Sequence, residues 1–290
     1  MNKNLTALMS LFIRVYHTKN SNIKVYNDTY GIKIIKEKEY YDIYNYLNSG
    51  IKFFDPNYTG NKNVEWIINK YIGATVIGRS KFVENHILNE IKLGLMQYVD
   101  LGCGYDTTAY KYKNKIKIYE LDKENLIFDK MKRLKDANID TSNIIFIPCD
   151  FNDDDWINLL LNKSFNQDEK TMCSLLGISY YLDKDVFFNI IKTLSDNIKS
   201  GSSIIFDYPN LNETKNELLN KKLTDSINGK MKSTYDLSEI SEFASKCNLL
   251  IYEHLNNNDI YKFFYDYNTL NPNNKIVESK GVSYCLLVKH

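Results

Sequence analysis

From about residue 97 onward, short apolar runs alternate with longer stretches in which apolar residues recur at helical spacing. The runs are rich in β-branched and aromatic residues, which is typical of strands buried on both faces of a sheet. Seven runs occur, at 97–102, 116–122, 143–151, 171–177, 202–209, 248–255 and 282–290. Helices are predicted between them, at 123–137, 153–162, 184–199 and 236–247. This alternation predicts an α/β fold, a Rossmann-like doubly wound sheet of seven mostly parallel strands.

The two ends of the chain depart from this alternation. No strongly periodic helix separates the last two runs, so we expect an antiparallel hairpin there, with an antiparallel last strand. The first ninety residues contain no strand pattern and predict helices at 4–17, 37–48 and 62–95. We therefore predict an N-terminal helical cap over 1–75 and a core over 76–290, with a polar, lid-like insertion at 210–235.

Composition narrows the class of protein. The 290 residues carry a formal net charge of +1, which argues against a dedicated nucleic-acid partner, because phosphate binding needs a basic field. Five cysteines without a CxxC pair, together with four histidines, predict neither a disulfide framework nor a metal site. No apolar run approaches the length of a membrane-spanning helix, and reduced thiols are typical of a cytoplasmic protein. The sequence does not indicate an oligomeric state.

The clearest candidate for chemistry is the segment VDLGCGYDT at 99–107. Gly102 and Gly104 follow a predicted strand and would let a ligand approach the backbone closely. Glu120 and Asp122, about twenty residues further on, are both placed to bind the ribose hydroxyls of a nucleoside. We therefore predict a nucleoside-binding turn.

The same turn distinguishes between cofactors. Thr107 stands where a dinucleotide-binding turn has its third glycine. Asp100, just before the turn, would repel a pyrophosphate but suits a ligand with an ammonium or sulfonium group. The turn therefore favours S-adenosylmethionine over NAD. At the end of the third strand, Asp150 and Phe151 are candidates for contacts with adenine, although Asp150 could instead cap the next helix.

The chain resembles the leucine carboxyl methyltransferase-like family, in particular its bacterial polyketide O-methyltransferase branch, which belongs to the class I S-adenosylmethionine-dependent methyltransferases. The resemblance extends over nearly the whole chain. It is carried by TALM (6–9) followed by Arg14, and by GRSKF (78–82), YVDLGCGYDTTAY (98–110), YELD (119–122), CDFNDDDW (149–156), LLGISYYL (175–182) and FDY (206–208). The motif around residues 78–82 and the tail of the glycine motif are the most specific to this family.

The resemblance implies a set of cofactor contacts. Arg79 would bind the methionine carboxylate, with Arg14 as a weaker candidate beside it, and Asp122 would bind the ribose. The remaining residues that match the family's cofactor site are Asp100, Gly102, Gly104, Glu120, Asp150, Phe151 and Gly177. One position departs from the family: Leu176 replaces an acid that often precedes the glycine after the fourth strand.

The expected activity is O-methylation of a carboxyl or hydroxyl group on a small molecule by in-line transfer. Such a transfer mainly requires alignment of the reacting groups, so no catalytic residue is evident from the sequence. The candidates are Tyr181, along the path of the methyl group, and His254 as a base; His17, Tyr180, Asp207 and Tyr208 are further candidate bases. Leu176 leaves a non-catalytic cofactor-binding protein as an alternative, and methylation of RNA or protein is another.

Overall fold

The computed structural model describes residues 5–153, 155–210 and 231–290. Its seven strands form one sheet with the order β3-β2-β1-β4-β5-β7-β6. The strands are β1 (Gln97–Leu101), β2 (Lys117–Asp122), β3 (Ile144–Pro148), β4 (Thr171–Leu175), β5 (Ser203–Pro209), β6 (Leu249–Leu255) and β7 (Val282–Lys289). Each lies within a predicted run, which confirms the predicted α/β fold and its seven-stranded sheet.

The end of the sheet differs from a simple hairpin. β7 is the antiparallel strand, as predicted, but it inserts between β5 and β6 and pairs with both. The connection from β6 to β7 contains two short helices that the sequence did not indicate, Asn257–Lys262 and Tyr265–Leu270. Asn256 begins the first of them with a capping box. Helices this short carry too few periodic positions to stand out in a sequence.

Most helices lie where the periodicity places them. In the first ninety residues, the helices at predicted positions are Leu5–Asn20, Glu37–Ser49, Asn63–Ile67 and Gly73–Lys92. The four-residue helices Gly31–Ile34 and Ile51–Phe54 were not predicted. Later in the chain they are Glu124–Asp136, Trp156–Leu161, Lys184–Asn197 and Leu237–Lys246, together with a 3₁₀ turn at Thr108–Tyr112. The predicted single helix at 62–95 is wrong in one respect, because a π-helical turn at Ile68–Ile72 interrupts it.

The strands are continuous apolar runs because both faces of the sheet pack against an apolar core. Tyr98 and Met172 belong to a core shared with the N-terminal helices, whereas the adjacent residues Val99 and Cys173 belong to a second core on the other face. Residue 75, the predicted end of the cap, lies within Gly73–Lys92, a helix that contacts both the first helix and β4. Residues 211–230 of the predicted lid-like insertion lie outside the described residues.

Two further expectations concern membranes and metals. None of the helices in the described ranges is long and apolar enough to cross a membrane. Over the same residues, no cluster of three or more histidine, cysteine or acidic side chains could hold a metal ion. All five cysteines are free thiols.

Candidate active site

The glycine turn follows β1 at the carboxyl edge of the sheet. Gly102 and Gly104 have φ angles of +69° and +49°, in the left-handed region that favours glycine. The N–H of Gly102 donates to the carbonyl of Leu121 at 2.8 Å. The N–H of Gly104 donates to the Asp122 carboxylate at 2.8 Å. These bonds join the turn to the end of β2, so the predicted turn and its predicted acid form one unit.

A cavity of about 320 Å³ opens beside this turn, within the size range of small-molecule sites. It lies between the carboxyl edge of the sheet, the first helix and the helix Gly73–Lys92. Of the residues singled out from the sequence, those that line it are Arg14, Arg79, Asp100, Gly102, Gly104, Asp122, Leu176, Gly177, Tyr180 and Tyr181. Residues far apart in the chain are thus brought to one cavity.

Asp100 is a buried acid at the floor of the cavity. Its carboxylate accepts a hydrogen bond from the Ser174 hydroxyl at 2.7 Å, and that hydroxyl in turn accepts one from Tyr98. Burial raises the pKa of Asp100 well above its usual value, and the neighbouring Asp106 carboxylate raises it further. A cationic group placed in the cavity would lower this pKa again, since it would compensate the buried charge.

Asp207, which does not line the cavity, fixes the position of the Arg79 side chain. Its guanidinium donates to the Asp207 carboxylate at 3.2 Å and to the Ser10 hydroxyl at 3.2 Å. Asp207 also accepts the N–H of Gly177 at 2.6 Å, at a backbone φ of +69°. A Cβ atom on Gly177 would lie 2.6 Å from an Arg79 nitrogen. Gly177 is therefore needed for the guanidinium to occupy its position.

Glu120, one of the two predicted ribose-binding acids, does not line the cavity. It forms an ion pair with Lys130 at 2.8 Å, and both side chains are fully enclosed. The Lys130 ammonium also donates to the carbonyl of Asp106 at 2.6 Å. Glu120 therefore supports the turn from beneath, because its β2 position faces the helix Glu124–Asp136, whereas Asp122 stands at the open end of the strand.

Asp150 and Phe151 also lie away from the cavity. The Asp150 carboxylate accepts hydrogen bonds from the backbone and side chain of Asn152, at 3.0 and 2.7 Å. The Phe151 ring packs edge-on against Trp156 with centroids 5.8 Å apart. Both residues follow β3, the edge strand. Their predicted contacts with adenine stay a prediction.

Both histidines that were predicted as candidate bases make hydrogen bonds with other residues of the protein. His254 lies outside the cavity, where its Nε2 and the Tyr208 hydroxyl are 2.8 Å apart. His17 is buried, accepts the backbone N–H of Val25 at 3.0 Å, and has its pKa lowered to about 4 by burial and, to a smaller extent, by Lys24. Neither arrangement presents an imidazole to a ligand.

A hydrogen-bond network around Arg14 was not predicted from the sequence. The guanidinium donates to Asp28 at 2.8 Å and to the carbonyl of Tyr105 at 2.7 Å. Asp28 also accepts the Thr107 hydroxyl at 2.6 Å. The network therefore joins the first helix to the glycine turn. Asp28 stands in a polar loop without any motif, so no sequence signal could have indicated it.

The sheet is mostly parallel and has this strand order, with the glycine turn after β1 and an acid at the end of β2. Together these features define a class I methyltransferase fold. The sequence profile of the leucine carboxyl methyltransferase family matches residues 7–195. The chain belongs to this family, which confirms the resemblance drawn from its motifs.

Individual relatives agree with this assignment. A Bacillus subtilis protein named "Putative S-adenosyl-L-methionine-dependent methyltransferase YktD" is 32% identical over 277 residues, covering 90% of this chain and 91% of the relative. The structure of a DUF574 family protein from Streptomyces avermitilis has a TM-score of 0.60 at 14% identity, covering 97% of each chain. Magnesium protoporphyrin IX methyltransferase from Synechocystis, with bound S-adenosylhomocysteine, has a TM-score of 0.50 at 11% identity, covering 86% of this chain and 99% of that one.

The protein is therefore an S-adenosylmethionine-dependent methyltransferase. The cavity fits this cofactor chemically. Glycines allow close approach of the backbone, Asp122 offers an acceptor for ribose hydroxyls, and Arg79 offers a cation for a carboxylate. Asp100 and Asp106 are carboxyl groups in the cavity wall that can compensate an ammonium or a sulfonium group.

Proposed function

We propose that the protein methylates an oxygen atom, of a carboxyl or a hydroxyl group, on a small molecule. The observation that carries this proposal is a continuous cavity whose lining extends from the glycine turn to the ends of β5 and β7. Its volume of about 320 Å³ suits a small molecule. Its acidic lining would repel a nucleic-acid backbone. No feature of the described residues favours an RNA or protein acceptor.

We assign the cofactor contacts residue by residue. Asp122 would accept the ribose hydroxyls, Gly102 and Gly104 would allow the ligand to lie against the backbone, and Arg79 would bind the methionine carboxylate. Asp100 would compensate the positive charge of the ligand. When bound, S-adenosylmethionine supplies a methyl group on a positively charged sulfur, which leaves as a neutral thioether.

The residues of the chain then have to align the acceptor and exclude water. Tyr181 lines the cavity, and we propose that it positions the acceptor oxygen. A carboxylate acceptor needs no base, and a hydroxyl can release its proton as the new bond forms. Such a site requires no dedicated catalytic base, which agrees with the placement of His17 and His254 outside the cavity.

Leu176 is the basis of the alternative, a protein that binds the cofactor without transferring its methyl group. Its apolar side chain lines the cavity at the position where the family often has an acid. Asp207, at the end of the neighbouring strand, places a carboxylate next to Gly177 instead. We infer that this carboxylate fixes Arg79 at the wall of the cavity although position 176 carries no acid.

The test has a binding stage and a transfer stage. Calorimetry with S-adenosylhomocysteine should show binding that Asp122→Asn and Arg79→Met weaken about 10- to 100-fold, as expected for hydrogen bonds to charged groups. The exposed acid Asp168 gives a matched control, Asp168→Asn, that should bind normally.

Labelled S-adenosylmethionine and a panel of small acceptors, with mass spectrometry of the products, then test transfer. O-methylated products support the proposal. Products methylated only on nitrogen, or only on RNA or protein, contradict it, and tight binding without transfer to any acceptor favours the binding-only alternative.

A further inference from the structure

Three charged side chains lead from the interior of the N-terminal helices to the wall of the cavity. Asp28 lies in the loop after the first helix, Arg14 lies on that helix, and Asp106 belongs to the glycine turn. The guanidinium of Arg14 is 2.8 Å from the Asp28 carboxylate and 3.9 Å from the Asp106 carboxylate. Arg14 and Asp106 line the cavity, whereas Asp28 is 1% exposed and is not among the described residues that line it. The arginine therefore lies between two acids, of which one is at the wall.

Neutral partners fix the buried acid Asp28 in place. Its carboxylate accepts the N–H of Gly31 at 2.8 Å and the hydroxyl of Thr107 at 2.6 Å. Its own N–H donates to the hydroxyl of Thr18 at 2.9 Å. A Cβ atom on Gly31 would overlap with the Asp28 carboxylate, so glycine at that position leaves room for it. Asp28 is thus oriented toward Arg14 by contacts that do not depend on a ligand.

This pairing determines which charge is left at the wall. Arg14 can compensate one carboxylate, and Asp28 is the closer of its two acidic partners. Burial opposes ionisation of Asp106, but Arg14 and the N–H of Thr108, which donates at 2.7 Å, keep the pKa of Asp106 below its usual value. The three side chains together therefore carry one negative charge, located on the carboxylate that lines the cavity. With a neutral side chain in place of Asp28, their sum would be zero.

We propose that Asp28 is a positioning residue that, through Arg14, biases the cavity toward the positively charged cofactor over its neutral-sulfur product. This inference rests on the proposed cofactor contacts and deepens them. S-adenosylmethionine and S-adenosylhomocysteine share their ammonium and carboxylate groups, and only the former carries a sulfonium. A negative charge left at the wall therefore stabilises the former more strongly. Asp28 preserves that charge, because it compensates Arg14 from the side that the ligand does not contact.

The two ligands are a matched pair of probes, since they differ by one methyl group and one charge. Calorimetry on the full chain, without an acceptor, gives the ratio of their affinities. Asp28→Asn keeps the size of the side chain and removes its charge. We expect the ratio to shift toward S-adenosylhomocysteine by about 10-fold, the order expected for one charge acting within a partly buried site. An equal loss of affinity for both ligands would mean that Asp28 has only a structural role, and it would overturn the proposal.

A double variant gives a test that does not depend on the single one, which loses stability because Arg14 is left without its closest counterion. Asp28→Asn combined with Arg14→Met removes both charges and leaves that of Asp106. We expect the affinity ratio of the unmodified protein. Loss of Arg14 as a contact for the carboxylate would lower both affinities alike. A shift of about 10-fold toward S-adenosylmethionine would show that Arg14 already neutralises Asp106 in the unmodified protein, which contradicts the proposal.

A neutral substitution in the same loop is the control. The hydroxyl of Tyr26 lies 2.8 Å from that of Thr108, just after the glycine turn. Tyr26→Phe removes this hydrogen bond without changing any charge, so the affinity ratio should stay as in the unmodified protein. A change as large as that in Asp28→Asn would assign the effect to the position of the loop and would also overturn the proposal.

Binding to the unmodified protein separates this inference from the proposed function. If neither ligand binds, the proposed cofactor contacts fail, and the role of Asp28 fails with them. If both bind, Asp122→Asn and Arg79→Met weaken them, and Asp28→Asn leaves their ratio unchanged, the cofactor site stands and only the role of Asp28 fails. The identity of the acceptor affects none of these measurements.

Discussion

The carboxylate of Asp207 lies 3.2 Å from the guanidinium of Arg79, although 128 positions separate the two residues in the chain. The same carboxylate accepts the N–H of Gly177 at 2.6 Å and the hydroxyl of Tyr180 at 2.9 Å. Three fixed partners determine its orientation, and burial shields the pair from solvent. Asp207 therefore positions Arg79 at the wall of the cavity without lining the cavity itself.

Asp207→Asn should damage both stability and cofactor binding. The amide keeps the shape of the side chain but removes its charge, so Arg79 is left buried without a counterion. We expect the free energy of unfolding to fall by about 3–5 kcal/mol. Affinity for S-adenosylhomocysteine should fall about 10-fold or more, because the guanidinium is no longer oriented.

Urea unfolding and calorimetry measure these two effects of Asp207→Asn. Asp196→Asn is a suitable control, because it removes an ion pair with Lys192 that is exposed on the surface. The control should change little in either measurement. Equal effects of the two substitutions would show that the Asp207–Arg79 pair has no special role.

Gly177→Ala tests the space that Arg79 needs. The new Cβ atom would meet the guanidinium at 2.6 Å, so Arg79 has to move away from its position. Gly94→Ala is a matched control, because Gly94 has a φ of +86° but open space around its Cα atom. Both variants should lose about 1 kcal/mol of stability to backbone strain.

Only Gly177→Ala should lower the affinity for S-adenosylhomocysteine, by about 10-fold or more, as measured by calorimetry. Normal binding by Gly177→Ala would mean that Arg79 is not required in its present position. Weakened binding by Gly94→Ala would point to a general effect of destabilisation instead.

Glu120 and Asp122 were both predicted as acids that could bind the ribose hydroxyls. The variants Glu120→Gln and Asp122→Asn distinguish their roles. Glu120→Gln removes the counterion of the buried Lys130 and should lower the free energy of unfolding by about 3–5 kcal/mol. Lys130→Met in the same chain should restore part of that loss, since the unpaired ammonium is then gone. Asp122→Asn should act mainly on the affinity for S-adenosylhomocysteine. The reverse pattern in unfolding and calorimetry would assign the ribose contact to Glu120.

His17 should make the fold sensitive to acid. Its pKa is lowered to about 4 in the folded state against 6.5 for the unperturbed group, and its Nε2 accepts the N–H of Val25. Between these values the unfolded chain binds more protons than the folded one, so stability falls as the pH falls. We expect His17 to contribute a loss of about 2 kcal/mol between pH 7 and pH 5.

Urea unfolding of the unmodified protein and of His17→Gln at both pH values isolates this contribution. His17→Gln should be less stable at pH 7 and should lose less stability on acidification. His290 is exposed, so His290→Gln is a suitable control. Its stability should change with pH as that of the unmodified protein does. Parallel pH profiles for all three proteins would contradict the prediction.

The features that were predicted correctly from the sequence depend on local interactions. The strands follow from continuous apolar runs, because both faces of the sheet are covered, and the longer helices follow from apolar residues at helical spacing. The glycine turn and Asp122 are also accessible from the sequence, since their contact joins the ends of two adjacent parallel strands. Family resemblance adds Arg79 and Gly177, whose proximity no periodicity encodes.

By itself, the sequence determined the class of fold, the location of the glycine turn and the family of the protein. Only the tertiary structure decided that β7 inserts between β5 and β6, because periodicity carries no information on strand order. It also decided that Glu120 faces Lys130 while Asp122 faces the cavity. The two acids share one side of β2, and only the packing of the helix Glu124–Asp136 over the middle of the strand separates their roles.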